Sequence, residues 1–121
     1  MTMQTIIAEN EYDYTYDIYT ITARNHNQHG RNIELEEGVI LDLDENNMPF
    51  SIEILDISQR LNISKKELIN AHTQMRIICD RVILKVTVEF YYNLHEKELS
   101  KTFNSTIANN EHLPEMEVAS V

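Results

Sequence analysis

The chain has 121 residues and a formal net charge of -10 at pH 7, enough for one compact domain and too little for two ordinary ones. We therefore expect a single domain over residues 1–121. An acidic chain repels phosphate backbones, which argues against nucleic-acid binding through a broad basic surface. The sequence contains no apolar run of about 18 residues and no basic, apolar leader. We expect a cytoplasmic protein without a membrane span.

Three strands are predicted in the first half of the chain. The first covers Glu11 to Ala23, where tyrosine, isoleucine and threonine dominate. A polar loop from Arg24 to Asn32 follows it. The second strand covers Ile33 to Asp44 and the third covers Phe50 to Leu55, because apolar and polar residues alternate there. Three successive strands of this kind predict an antiparallel meander.

Two short helices are predicted next, over Ile57 to Leu61 and over Lys65 to Asn70. Asp56 and Ser64 each stand three positions before a glutamine or glutamate, which is the spacing of a capped helix N-terminus. The apolar residues of both segments can lie on the sheet.

The last third of the chain predicts further strands, at Met75 to Ile78, Val82 to Tyr92 and Lys97 to Ile107, and then an acidic tail from Ala108 onward. The fold class is thus α+β, mainly an antiparallel β meander over residues 12–58, with two short helices and a C-terminal β-hairpin over 59–107 and a tail over 108–121.

Two short helices cannot cover both faces of six strands, so we expect a homodimer. A curled monomeric sheet is the alternative.

The negative charge is concentrated in the first half of the chain. Residues 1–59 contain twelve Asp and Glu against Arg24 and Arg31, so 2 − 12 gives -10, whereas residues 60–121 contain eight acids and eight bases. Such a field favours a basic protein partner, although simple solubility is the alternative. The candidate partner-binding residues are carboxylates of the second predicted strand and the turn after it: Glu34, Glu36, Glu37, Asp42, Asp44 and Glu45.

The acidic turn also resembles a calcium-binding loop. Asp42, Asp44 and Asn46 occupy positions one, three and five of a twelve-residue loop that ends at Glu53. An EF-hand needs helices on both sides, but the flanking residues alternate with the period of strands, which favours a β-hairpin. A weak cation site at Asp42 and Asp44 remains open.

Few other residues suggest chemistry. His26 and His29 form a pair that is a weak candidate for a transition-metal site. The single cysteine, Cys79, lies among apolar residues and predicts a buried thiol. The sequence has no glycine-rich phosphate loop and no nucleophile elbow. We expect a non-enzymatic protein without a cofactor; a divalent-cation module or metal-dependent enzyme is the alternative.

Three segments carry a resemblance to a known family. They are Tyr12 to Ile21 with its Tyr-Asp start, Glu37 to Asp44, and Ser51 to Ser58 with its Ile-Glu-Ile-Leu-Asp run. Over residues 12–58 the chain resembles the prokaryotic family known as domain of unknown function 2283. The family usually has glycine in the turn where Asn46-Asn47 stand here.

That resemblance has two implications. Longer members, mostly archaeal, continue into a helix and a hairpin, as residues 64–107 do in this chain. The family has no established activity, cofactor or catalytic residue, and some relatives are encoded beside small toxin-like proteins. The chain is therefore predicted to be a protein-interaction domain, antitoxin-like or an adaptor, that binds a basic partner.

Overall fold

Two five-stranded sheets pack face to face in the computed structural model, which describes residues 3–120. The first sheet has the strand order β1-β10-β7-β8-β9 and the second β2-β3-β6-β5-β4. In chain order the elements are β1 (Met3–Ile6), β2 (Ala8–Asp13), β3 (Ile18–Ala23), β4 (His29–Glu36), β5 (Val39–Asp44), β6 (Pro49–Leu55), α1 (Ile57–Leu61), α2 (Lys65–Ile69), β7 (His72–Cys79), β8 (Ile83–Leu94), β9 (Lys97–Ala108) and β10 (Met116–Ser120).

The hydrophobic core lies between the two sheets and contains side chains from both. The rings of Tyr19 in the second sheet and Phe90 in the first meet edge to face, with centroids 4.9 Å apart. Alternate residues of β8 point inward, as the period of a strand requires, and Leu84, Val86 and Val88 are almost completely buried. The predicted α+β class, with antiparallel strands, two short helices and the β8–β9 hairpin, is confirmed. Only β1 and β10 pair in parallel among the described strands.

The prediction of one strand over residues 11–23 is wrong. The chain forms β2 and β3, joined by a turn in which Asp13 Oδ1 accepts a hydrogen bond from the Tyr16 N–H at 3.0 Å. Asp17 closes the turn in the left-handed conformation, with φ 58°. The tyrosines of this turn have high strand propensity, but Tyr14 and Tyr16 are exposed. The high strand propensity of the tyrosines therefore led to the prediction of one continuous strand, although the aspartates form a turn within it.

The second predicted strand also divides in two. Its residues form β4 and β5, and the turn between them contains Gly38 with φ 81°, a conformation that glycine adopts without steric cost. β4 begins at His29, inside the predicted loop. The strand from Phe50 is confirmed as β6, and Asn47 in the preceding turn has φ 63°. Asparagine tolerates this left-handed geometry where the family usually has glycine.

Both helices are confirmed, and α2 ends one residue earlier than predicted. The Ser64 hydroxyl accepts from the Glu67 N–H, so that cap is confirmed. The cap at Asp56 is wrong, because Asp56 has φ 56° and its side chain accepts no capping hydrogen bond. Instead the Ser58 N–H donates to Asp17, which lies far back in the sequence. Neither helix, within residues 3–120, is long and apolar enough to cross a membrane.

The end of the chain differs most from its prediction. The segment predicted as a tail contains β10, which lies between β1 and β7 and buries Met116 and Val118. The strand has only five residues, and the segment before it is acidic, so its alternation of apolar and polar residues is a weak signal. Its partner strands come from distant parts of the chain. Cys79 is buried, as predicted. The division into domains stays a prediction.

Candidate protein-interaction surface

The outer face of the second sheet carries a row of carboxylates. In the strand register Glu11 lies opposite Thr20, Thr20 opposite Glu53, Glu53 opposite Ile40, and Ile40 opposite Glu34. Carboxylates thus occupy every second strand, about 10 Å apart, since neighbouring strands are about 4.8 Å apart. We call this surface the acidic face; its charged residues are Glu9, Glu11, Asp13, Glu34, Asp42 and Glu53.

Most of the charge on the acidic face is not neutralised. Glu9 pairs with Arg24 at 3.2 Å, and Asp42 lies 3.4 Å from the His29 ring. Within residues 3–120, the three carboxylates of the central row form no ion pair. Several unpaired carboxylates on one surface create a negative electrostatic potential that extends into solvent.

The centre of the acidic face is not uniformly polar. A shallow depression of about 200 Å³ is lined by Ile18, Thr20 and the carboxylates beside them. Ile18, Thr20 and Ile40 are each half-buried. A partner therefore meets small apolar and hydroxyl groups between the carboxylates, which suits a side chain with an apolar stem and a cationic end.

The structure separates the six residues predicted from sequence. Glu34 and Asp42 lie on the acidic face. Glu37 and Glu45 are exposed in turns outside the sheet register. Asp44 is buried, and its Oδ1 accepts from the backbone N–H groups of Asn46 and Met48 at 2.8 and 3.0 Å. That carboxylate is used to hold the β5–β6 turn.

Glu36 connects the two sheets at their edges. Its Oε1 accepts from the Ser105 hydroxyl of β9 at 2.7 Å, and its Oε2 from Arg60 of α1 at 3.1 Å. Arg60 Nε also donates to the Leu55 carbonyl at 2.6 Å. Glu36 is thus committed to contacts that join β4, β9 and α1.

Sequence reasoning missed four residues of the acidic face, namely Glu9, Glu11, Asp13 and Glu53. Three of them alternate in β2, but the predicted strand begins at residue 11, so Glu9 lies outside it, and that strand contributes none of the six predicted partner-binding residues. Glu53 belongs to β6, which pairs with both β3 and β5. The alternation of Glu9, Glu11 and Asp13 is the signal that could have found the first three.

Only two of the four candidate metal ligands lie close to each other. His29 and Asp42 are neighbours, whereas His26 stacks on Phe50 with ring centroids 4.2 Å apart. The Asp44 carboxylate also accepts from the Asn27 amide at 3.3 Å. No group of three or more His, Cys, Asp or Glu side chains among residues 3–120 is arranged to hold a metal ion. The flanking segments pair as the hairpin β5–β6, so the hairpin interpretation of the acidic turn is confirmed.

A buried carboxylate holds the sheet in place on α1. Asp17 is 4% exposed and accepts from the Tyr12 hydroxyl at 2.7 Å and from the Ser58 hydroxyl at 2.6 Å. Burial, followed by the hydrogen bond to Asp17, raises the pKa of Tyr12 above its ordinary value. Tyr12 also stacks on Tyr19, with centroids 6.0 Å apart. These contacts fix the β2–β3 hairpin, which carries one edge of the acidic face.

Comparison with known proteins supports the family resemblance. Residues 10–58 match the model of a family described as protein of unknown function (DUF2283), so the resemblance over residues 12–58 is confirmed for that segment. The matched segment covers the second part of β2, all of β3 to β6 and the start of α1.

A relative in an archaeon is similar to this chain over most of its length. A protein of Methanosarcina mazei, provisionally named as a hypoxanthine phosphoribosyltransferase, is 28% identical over 115 residues, which cover 94% of this chain and 92% of that protein. No solved structure matches the chain.

Proposed function

We propose that the protein is a non-enzymatic interaction domain that binds a basic protein partner through its acidic face. The observation that carries this proposal is the row of Glu11, Glu53 and Glu34, which crosses the second sheet without an ion pair within residues 3–120. An antitoxin-like or adaptor role fits this surface, since both roles consist of masking or joining another protein.

The mechanism is electrostatic attraction followed by contact with the half-buried centre of the face. Lysine or arginine side chains of the partner would lie over Thr20 and Ile40 and place their charged groups between the carboxylates. Complementary charge raises the rate of association and sets its salt dependence. Screening by salt shortens the range of the attraction to roughly 8 Å at physiological ionic strength.

The name of the Methanosarcina mazei relative does not lead to a reaction for this chain. Phosphate-binding sites commonly use a glycine-rich loop before a helix N-terminus. The two glycines here, Gly30 and Gly38, lie in β4 and in the turn after it. Each helix has five residues. Neither glycine precedes a helix, so transfer of a phosphoribosyl group has no support in the described residues.

Affinity purification of tagged protein from the cells that produce it tests the proposal. The wild type at low salt is expected to retain a stoichiometric basic protein, identified by mass spectrometry, and to release it at high salt. The variant E11K/E53K reverses two charges of the central row and should lose the partner.

The variant E89K/E98K is the matched control. It makes the same change in net charge on the outer face of the first sheet, where Glu89 and Glu98 lie in β8 and β9, and it should retain the partner. Retention of the partner by both variants, or release by both, would show that the acidic face is not the binding surface.

A divalent-cation module is the second candidate function. Its support is the proximity of His29 Nε2 and Asp42 Oδ1, which are 3.4 Å apart at one end of the acidic face. One imidazole and one carboxylate leave most coordination positions to water, which corresponds to a weak site.

A further inference from the structure

The β8–β9 hairpin extends beyond the rest of the first sheet. β7 pairs with β8 only as far as Tyr91, which lies opposite His72. Beyond that point β8 and β9 form three further residue pairs, from Tyr92 with Leu99 to Leu94 with Lys97. These pairs have no neighbour in β7 and span about 10 Å. We call residues 92–101 the arm; its last two residues, Ser100 and Lys101, lie opposite Tyr91 and Phe90, where β8 still pairs with β7.

The inner face of the arm continues the core face of its strands. Tyr92 and Leu94 follow the inward side of β8, while Lys97, Leu99 and Lys101 follow the inward side of β9. Leu94 and Leu99 are 37% and 39% exposed. The inward side of the hairpin therefore continues beyond β7 and exposes Leu94, Lys97 and Leu99 to solvent, with the exposed Lys101 next to them at the end of the core.

The lysines of the arm are free to form new ion pairs. All five arginines pair with carboxylates within residues 3–120, but neither Lys97 nor Lys101 does. Of the two carboxylates of the arm, Glu98 lies opposite Asn93 on the other side of the hairpin, and Glu96 lies in the turn between the two strands. The inner face is thus basic and apolar on a protein with a net charge of -10.

We propose that the chain forms a homodimer in which the arm of each copy lies on the acidic face of the other. Lys97 and Lys101 complement Glu11 and Glu53 in charge, and the exposed leucines meet the half-buried Ile18 and Ile40. Because arm and face belong to one chain, a two-fold axis satisfies both contacts at once. The inference rests on the proposed function, since it names a second copy as a partner of the acidic face.

The spacings of the two surfaces are compatible. Lys97 and Lys101 are four residues apart along a strand, which is about 13 Å, and the carboxylates of the central row are about 10 Å apart. The flexible four-carbon stem of lysine covers a difference of this size. Each contact joins groups that lie on regular strands, so little chain has to become ordered on association.

Sedimentation velocity with charge-swapped variants tests this arrangement. At roughly 50 mM salt the wild type is expected to be a dimer that dissociates as salt rises. K97E/K101E makes the inner face of the arm acidic, and E11K/E53K places two lysines in the central row, where the arm would lie. Each variant alone opposes like charges in both contacts, so its dimer dissociation constant should rise on the order of 100-fold.

An equimolar mixture of the two variants is the decisive sample. The acidic arm of one variant then meets the two introduced lysines of the other, and the unchanged basic arm meets the unchanged acidic face, so the mixture should sediment as a heterodimer. K66E/K85E, which makes the same charge change on α2 and on β8 away from the arm, should remain a dimer. Circular dichroism of every variant confirms that it is folded.

Two results would overturn the inference. A wild type that is monomeric at low salt, or variants that remain dimeric alone, would show that the arm does not dock on the acidic face. If a monomeric wild type still captured a basic protein from cells, the inference would fail while the proposed function stood. A charge-swappable dimer that captured no other protein would do the reverse and leave the acidic face as a self-association surface.

Discussion

Ser58 donates its hydroxyl to Asp17 Oδ2 at 2.6 Å and its backbone N–H to Asp17 Oδ1 at 3.1 Å. The two residues lie near the ends of the segment that matches the family model. Their contact ties the β2–β3 turn to the first turn of α1, and the Tyr12 hydroxyl donates to the same carboxylate. The buried Asp17 side chain thus links the beginning and the end of the segment that matches the family model.

Replacement of Asp17 by alanine should reduce the free energy of unfolding by about 3 kcal/mol. The change removes three hydrogen bonds to a buried carboxylate and leaves the Ser58 N–H without its acceptor. Urea denaturation measures the loss. D13A is the matched control, because Asp13 accepts one exposed hydrogen bond in the same turn and should cost less than about 1 kcal/mol. Equal losses for the two variants would refute a special role for Asp17.

Tyr19 should contribute to a decrease in stability at alkaline pH. Burial raises the pKa of Tyr19 to about 12, so the unfolded chain, with a tyrosine pKa near 10, loses this proton first. The contribution is fully present below about pH 10 and is lost as pH rises toward the folded pKa, which amounts to about 1.4 kcal/mol by pH 11. Y19F should lack this part of the decrease between pH 9 and 11.

The exposed Tyr16 provides the control for that experiment. Its side chain is 72% exposed in the β2–β3 turn. Y16F should therefore follow the wild-type stability curve, as measured by chemical denaturation at each pH. A Y19F curve parallel to the wild type would mean that Tyr19 is not responsible for the alkaline loss.

Replacement of Gly38 by alanine should cost about 2 kcal/mol. Gly38 has φ 81°, and a Cβ there would lie 2.8 Å from Arg60 Nη2, so both backbone strain and a steric contact contribute. In an R60M background the guanidinium is gone and the additional cost should fall to about 1 kcal/mol. A double-mutant cycle of unfolding free energies measures the difference. Strict additivity would show that Gly38 and Arg60 do not meet.

Calcium, magnesium, manganese and zinc at millimolar concentration should not raise the melting temperature. A ligand that binds only the folded state must stabilise it, but His29 and Asp42 offer two protein ligands and Asp44 is engaged in its turn. Thermal-shift measurements on the wild type and on H29A/D42N check this. A shift with one metal that the variant abolishes would favour the cation module.

Much of the fold was predictable because it depends on local pattern. The strands β6, β8 and β9 and both helices lie close to their predicted residues, since period-two alternation and the Ser64 cap are local signals. The excess of acid in the first half was also evident. It predicted which part of the chain carries the charge, but only Glu34 and Asp42 of the six chosen carboxylates lie on the acidic face.

The amino-acid sequence by itself determined where β6, β8, β9 and both helices form and which half of the chain is acidic, because side-chain alternation, capping and charge act between near neighbours. Only the tertiary structure decided how strands from distant parts of the chain pair. It placed β10 between β1 and β7, divided the sheets, and aligned Glu11, Glu53 and Glu34 in one row. Strand register depends on contacts between distant residues, and a shift of one residue moves a side chain to the opposite face.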